Sequence, residues 1–180
     1  MGRDKAGLQF NGAPLWHRQV NLLGALKPME ILVSARPTSV ISGHGFPIIL
    51  DMISGKGPLG GVAALLEHAQ QPTLLVLAVD LPWMKKGFLK KMIERCPPDT
   101  GLVPEHDGVY EGLAAIYPKA ALPIAKDLLQ GEDTSLQRFA KECLSAGLIE
   151  SVPIPEADLP LFRSVNSPSD LGPEFFVNDL

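Results

Sequence analysis

Apolar residues recur along this chain in two rhythms, one of helical period and one of unbroken short runs. Over 14–26, "PLWHRQVNLLGAL", Leu15, Leu22 and Leu26 fall on one stripe with Trp16, Val20 and Leu23 beside it. That spacing predicts a helix with a broad buried face, and Pro14 suits its first position. "EILVSA" (30–35) and "FPIILD" (46–51) predict strands. "GPLGGVAALLEHA" (57–69) opens with glycines and settles into a helix through Val62, Leu65, Leu66 and Ala69. "TLLVLAVD" (73–80) is a continuous apolar run ending in a carboxylate, the mark of a strand buried on both faces.

The rhythm continues through the second half. "KKGFLKKMIERC" (85–96) predicts a helix with Phe88, Leu89, Met92 and Ile93 inward. Residues 101–118 read as two strands around a turn at Asp107-Gly108. Residues 119–130 read as helical. Over 133–148, Leu136, Phe139, Ala140, Cys143 and Leu144 repeat at helical spacing, with Asp133 or Thr134 as the cap. "ESVPI" and "LFRSVN" predict short strands, and "SPSDL" a last helical turn. Helices alternating with apolar strands predict one α/β domain over 1–180, a three-layer sandwich on a mostly parallel, mixed sheet with an antiparallel edge at 101–118.

Composition narrows the classes. The 180 residues are 46% hydrophobic and 20% charged, as in an ordinary soluble globular domain. A net charge of -4 argues against non-specific nucleic-acid binding, which needs a basic face. No run is long enough to span a bilayer and the N-terminus carries no signal-peptide pattern, so a reduced cytoplasmic setting is expected. Cys96 and Cys143 belong to no C-x-x-C or Cys/His cluster, so no structural zinc is expected. Cys143 lies on the apolar stripe and reads as a buried thiol; a single disulfide stays open.

In open α/β sheets ligands bind beyond the carboxyl ends of the strands. That rule selects Ser34 to Arg36, Asp51 and Asp80. Asp80 leaves a buried strand where a hard cation would sit, and Mg²⁺ takes one or two carboxylates and completes its shell with water and phosphate oxygens. In a purely structural role Asp80 would cap the helix at 85–95 or turn with Pro82. Asp51 also ends an apolar run, before Gly55, Gly57, Gly60 and Gly61, whose backbone can approach a ligand closely. "GKGPLGG" lacks the G-K-[S/T] ending of a phosphate-binding loop. From spacing alone Lys5 reads as a solvated surface lysine, and Trp16 and Trp83 as packing residues. The histidines 17, 44, 68 and 106 form no i,i+4 pair, and no G-x-S-x-G motif exists.

Several patches, in order along nearly the whole chain, resemble one family. "MGRDKAGLQFNGAPLWHRQV" is similar to the end of the nucleotidyltransferase signature L-A-G-G-x-S-x-R-M-G-x-D-K and the G-x-P-L helix after it. "GPLGGVAALL" resembles the G-P-L-[AG]-G segment of molybdenum cofactor guanylyltransferases. "LAVDLPWM", "EGLAAIYP" and "FRSVNSPSDL" resemble their D-x-P, x-x-P-L-x-A-x-Y and F-x-N-x-N-T-P-x-D-L segments, with Gly112 and Ser164 departing from the pattern. The resemblance implies the Rossmann-like nucleotide-diphospho-sugar transferase fold. It also implies transfer of GMP from Mg-GTP to the terminal phosphate of molybdopterin, with pyrophosphate leaving.

By that resemblance Lys5 and Asp80 are the catalytic pair: Lys5 neutralises the triphosphate and Asp80 holds Mg²⁺. Asp51 and the backbone of Gly57, Pro58 and Leu59 hold the nucleoside, and Ala35 lies beside the nucleotide. Asn166 sits near the second substrate or the metal. GTP, molybdopterin and the proteins that deliver or accept it are the implied partners, with no nucleic acid and no membrane. The guanine assignment rests mainly on "GPLGG", since related cytidylyltransferases differ there and carry D-Q-P where this chain has Asp80-Leu81-Pro82. The alternatives are a cytidylyltransferase or another nucleotidyltransferase of the same fold. The L-A-G-G-x-S-x-R portion has no counterpart in these 180 residues, so the first strand and Gly-rich loop are expected to be missing from the chain as written. A start assigned one methionine late, or a fragment, would account for that. A genuine loss would make the chain a non-catalytic relative that binds a nucleotide or a partner.

Overall fold

The computed structural model describes residues 5–10, 12–35, 45–51, 55–165, 167 and 170. A short 3₁₀ turn (Lys5–Gly7) leads into two two-residue strands, β1 (Gln9–Phe10) and β2 (Ala13–Pro14), paired antiparallel. Helix α1 (Leu15–Gly24) follows, with Pro14 immediately before its first residue rather than inside it. Strands β3 (Val33–Ala35) and β4 (Ile48–Leu50) pair parallel, Val33 opposite Ile48. Helix α2 (Gly57–His68), β5 (Thr73–Leu77) and α3 (Lys86–Arg95) come next. The rest is β6 (Gly101–His106), β7 (Val109–Tyr110), β8 (Ala114–Pro118), α4 (Leu122–Gln130), α5 (Leu136–Ser145) and β9 (Ile149–Pro153), closed by a 3₁₀ segment (Glu156–Phe162).

Two sheets form the middle layer. In the larger, β8 lies between β5 and β6 and is antiparallel to both, while β9 runs parallel along the other edge of β6. Inner and outer residues alternate with the period of a pleated strand. Val76, Val103, Ala115 and Tyr117 face a core shared with α2, α4 and α5. Leu75, Leu102, Ala114 and Ile116 face the opposite core, with α3 and the leucines of α1. Helices thus cover both faces, the expected three-layer α/β architecture. The smaller sheet, β3–β4, is joined to the larger one by side chains. Trp16 and Val20 of α1 pack with Val33 and Val79 on one side, and α2 packs on β3 and β4.

The sheet is mixed rather than mostly parallel, and the antiparallel strand is central rather than at the edge. An apolar run reports burial on both faces but not direction. Direction is set here by the turn: Asp107 (φ 51°) and Gly108 (φ 76°) are both left-handed, as a two-residue hairpin of the I′ type requires. The returning chain inserts β8 beside β5.

Other expectations shift locally. Of "LFRSVN", the described residues 161–165 form no strand: Leu161 and Phe162 close a 3₁₀ segment that contains Pro160. Ile93 is 46% exposed rather than inward. The cap of α5 is Ser135, whose hydroxyl accepts from Arg138 N, while the Asp133 carboxylate takes Ser135 N. Both cysteines are free thiols. Cys143 is fully buried, and desolvation, with the Glu142 charge adding, pushes its pKa up to about 12. Among the described residues no helix is long and apolar enough to cross a membrane.

Candidate functional site

The sequence-selected residues gather at two points, each built by a helix from one side of the sandwich. The first joins β3, β4 and α2. The Ser34 hydroxyl donates to Asp51 Oδ1 at 2.6 Å, fixing a half-buried carboxylate just past the end of β4. The adjoining Ala35 is buried, and its carbonyl accepts from Asp51 N at 3.3 Å. Helix α2 descends onto this pair at Gly61, where a Cβ would lie 2.6 Å from Ser34 Oγ and 3.2 Å from Asp51 Oδ1. Only glycine allows that approach. Gly57 and Pro58, the opening residues of α2, are exposed, whereas the Leu59 side chain is fully buried, so at this end α2 presents backbone. The preceding Lys56 ammonium donates to Gly131 O at 3.0 Å.

The second point is the turn 78–84. Asp80 lies three residues beyond β5 rather than at its last position. It does not cap α3, whose N-cap is Lys85. The Asp80 carbonyl accepts from Val165 N at 2.9 Å, which brings the segment before Asn166 alongside the turn. Trp83 packs edge-on against Phe10 and under the Arg163 guanidinium, a packing role as expected.

Helix α1 supplies two residues here that sequence reasoning overlooked. Gln19 is 4% exposed, and its Nε2 donates to Ala78 O at 3.0 Å and Leu81 O at 2.8 Å. Arg18 donates from Nε to Pro82 O at 2.5 Å and from Nη2 to Met84 O at 3.3 Å. Burial lowers the Arg18 pKa from its ordinary value, yet a guanidinium stays cationic. The signal for Gln19 was present: it falls within the stripe of Leu15, Trp16 and Val20, where a polar residue needs a buried partner. The Lys5 side chain, Arg36 and Asn166 lie outside the described residues.

Among the described residues no three His, Cys, Asp or Glu side chains converge on one point. Mg²⁺ needs no such cluster, since it is bound through one or two carboxylates with phosphates and water completing the octahedron. A half-buried carboxylate at Asp80, past a strand end, is a donor of the right kind.

A three-layer α/β sandwich with carboxylates and a glycine-opened helix beyond its strand ends places those groups where open α/β folds bind ligands. Solved structures give the fold its class. The molybdopterin-guanine dinucleotide biosynthesis protein A of Archaeoglobus fulgidus superposes with a TM-score of 0.70 at 22% identity, covering 94% of this chain and 88% of that one. The 2-C-methyl-D-erythritol 4-phosphate cytidylyltransferase of Thermus thermophilus gives 0.69 at 19% identity, covering 93% and 90%. The fold is that of nucleotidyltransferases. In sequence, the family described as the MobA-like NTP transferase domain matches residues 1–146, and the chain belongs to that family. A relative in Opitutus terrae, named "Probable molybdenum cofactor guanylyltransferase", is 32% identical over 173 residues, covering 94% of this chain and 86% of its own. One of the same name in Pelotomaculum thermopropionicum is 28% identical over 174 residues, covering 95% and 83%.

Proposed function

We propose that the protein is a molybdenum cofactor guanylyltransferase. It transfers GMP from GTP to molybdopterin, forming the guanine dinucleotide cofactor. The observation that carries this reading is the 32% identity, across nearly the whole chain, to a relative of that name. In the reaction an oxygen of the molybdopterin terminal phosphate attacks the α-phosphorus of GTP. The bond from that phosphorus to the bridging oxygen breaks, and the electron pair leaves with pyrophosphate. Such a step needs alignment and charge neutralisation more than covalent help from the protein.

Each residue then has a task. Asp51, held by Ser34, accepts hydrogen bonds from the nucleoside, and the exposed backbone at Gly57 and Pro58, with the buried Leu59 behind it, borders it. Ala35 forms the floor beside the nucleotide. Lys5 neutralises the triphosphate. Asp80 holds Mg²⁺, which, when bound, screens the phosphate oxygens and the charge developing on the leaving group. Asn166 follows Val165 beside the Asp80 turn and serves the second substrate or the metal. The protein works in the cytoplasm with proteins that deliver molybdopterin and accept the product; two free thiols agree with a reducing compartment.

The test is conversion of molybdopterin with GTP labelled at the α-phosphate. Label should enter the dinucleotide with GTP and Mg²⁺ and not with CTP. Label entering from CTP instead would make the protein a cytidylyltransferase; nucleotide binding with no transfer from either would make it a non-catalytic relative.

A further inference from the structure

We infer that Gln19, with Arg18 beside it, is the positioning clasp of the metal-binding turn. The inference rests on the assignment of Mg²⁺ to Asp80 above.

The Gln19 amide carries two N–H donors, and both go to the turn. They meet the carbonyls of Ala78 and Leu81, which flank Val79 and Asp80. Arg18 takes the carbonyls of Pro82 and Met84, and its guanidinium rests 5.3 Å from the centre of the Phe10 ring. Val165 N takes the Asp80 carbonyl from the other side. Five carbonyls between 78 and 84 are therefore fixed from outside the turn, around the one carboxylate it carries.

The remaining atom of the amide argues for this role. Gln19 Oε1 is buried with no hydrogen-bond partner among the described residues. A buried, unpaired carbonyl oxygen is unfavourable. If this position only filled the core, an unbranched apolar side chain would fill it without that cost. Leu81 O would keep a partner, because Met84 N also donates to it at 3.1 Å. The amide gives the fold one bond that a methionine would not, the partner of Ala78 O, and with the bond to Leu81 O it holds the backbone on both sides of Asp80. Mg²⁺ demands near-ideal octahedral geometry, so a carboxylate whose backbone wanders is a poor ligand. Partners that orient a ligand from behind typically change metal affinity about 10- to 100-fold when removed.

Mn²⁺ serves as the probe, since its binding in the presence of GTP is read directly by electron paramagnetic resonance without turnover. Gln19→Met is expected to weaken Mn²⁺ binding in the GTP complex about tenfold. GTP binding measured without metal should stay unchanged. A purely structural role would leave the Mn²⁺ affinity of the folded variant intact, and that result overturns the inference. Arg18→Lys keeps the charge but loses the two-pronged grip, and should give a smaller loss in the same measurement. It decides the question if the methionine variant does not fold: unchanged Mn²⁺ affinity in Arg18→Lys overturns the clasp. Asp80→Asn is run alongside. If it binds Mn²⁺ like the parent protein, the metal assignment itself is wrong. If it loses Mn²⁺ while both clasp variants keep it, only the clasp is.

Discussion

The two sheets use similar apolar runs and cover them differently. In the larger one every residue of β8 is buried, and the tilted rings of Tyr117 and Phe139 pack with centroids 5.0 Å apart in a core closed by three helices. In the smaller one Ile48 is 38% exposed and Leu50 55% exposed, and three register pairs tie β3 to β4. Of the residues assigned to chemistry, Ala35 and Asp51 lie at the smaller sheet, Gly57 and Pro58 on the opening turn of α2 and Asp80 on the turn after β5, while Leu59 reaches into the larger core. The proposed site thus sits mainly on strand ends and turns, as expected when a rigid scaffold presents a site on less protected segments.

The two carboxylates sharpen that contrast. Asp51 is oriented through its side chain, by one hydroxyl. Asp80 is oriented through its backbone, by α1 on one side and Val165 on the other. A carboxylate with one oxygen engaged keeps a defined acceptor for the N–H donors of a base. A carboxylate carried on a pinned turn suits a cation with strict geometry.

Asp80→Asn should have the largest effect on turnover. Pyrophosphate release with GTP and molybdopterin should fall at least about 100-fold, while the unfolding midpoint without nucleotide stays near that of the parent. Activity that persists would move the metal elsewhere. Phe139→Ala tests the other half. It should cost about 3–5 kcal/mol in a denaturant titration, yet leave GTP affinity of the folded fraction unchanged. Gly61→Val should affect both halves, because its side chain would collide with Ser34. A stability loss of about 1–3 kcal/mol is expected, together with weaker GTP binding by calorimetry. Ser34→Ala should weaken GTP binding by about 1 kcal/mol, without changing the Mg²⁺ requirement.

The smallest effect concerns Glu111, half-buried in the well-packed half. Desolvation raises its pKa, so the folded state binds this proton more tightly than the unfolded one. Its contribution to stability is therefore greatest in acid and declines as pH rises through the unfolded value toward the raised folded one. Glu111→Gln removes that decline. Thermal melts of the two proteins should diverge in favour of the variant as pH rises from the unfolded value through the raised folded one. Parallel curves would mean that the carboxylate is solvated after all.

Much of this was legible in the sequence. The stripes over 14–26, 57–69 and 133–148 each became a helix, because burial on one face leaves a period of 3.6 whatever the tertiary partner. Asp107-Gly108 announced its hairpin through turn chemistry alone. Strand direction was not legible, since Leu74 to Leu77 would read the same beside a parallel or an antiparallel neighbour. Ser34 lay within a stretch selected by the strand-end rule, but its bond to Asp51 spans two strands and leaves no periodic trace. Gln19 was visible only as an exception within an apolar stripe, and its partners are about 60 residues away.

The central claim is that this rim binds guanine nucleotide together with Mg²⁺ through Asp80. Thermal shift of the protein and of its Asp80→Asn variant, with GTP or CTP and with or without Mg²⁺, tests it most directly, because a ligand that binds only the folded state raises the midpoint with its concentration. The expected shift is larger with GTP than with CTP, and is increased by Mg²⁺ in the parent and not in the variant. A larger shift with CTP, or an equal Mg²⁺ effect in both proteins, would contradict it.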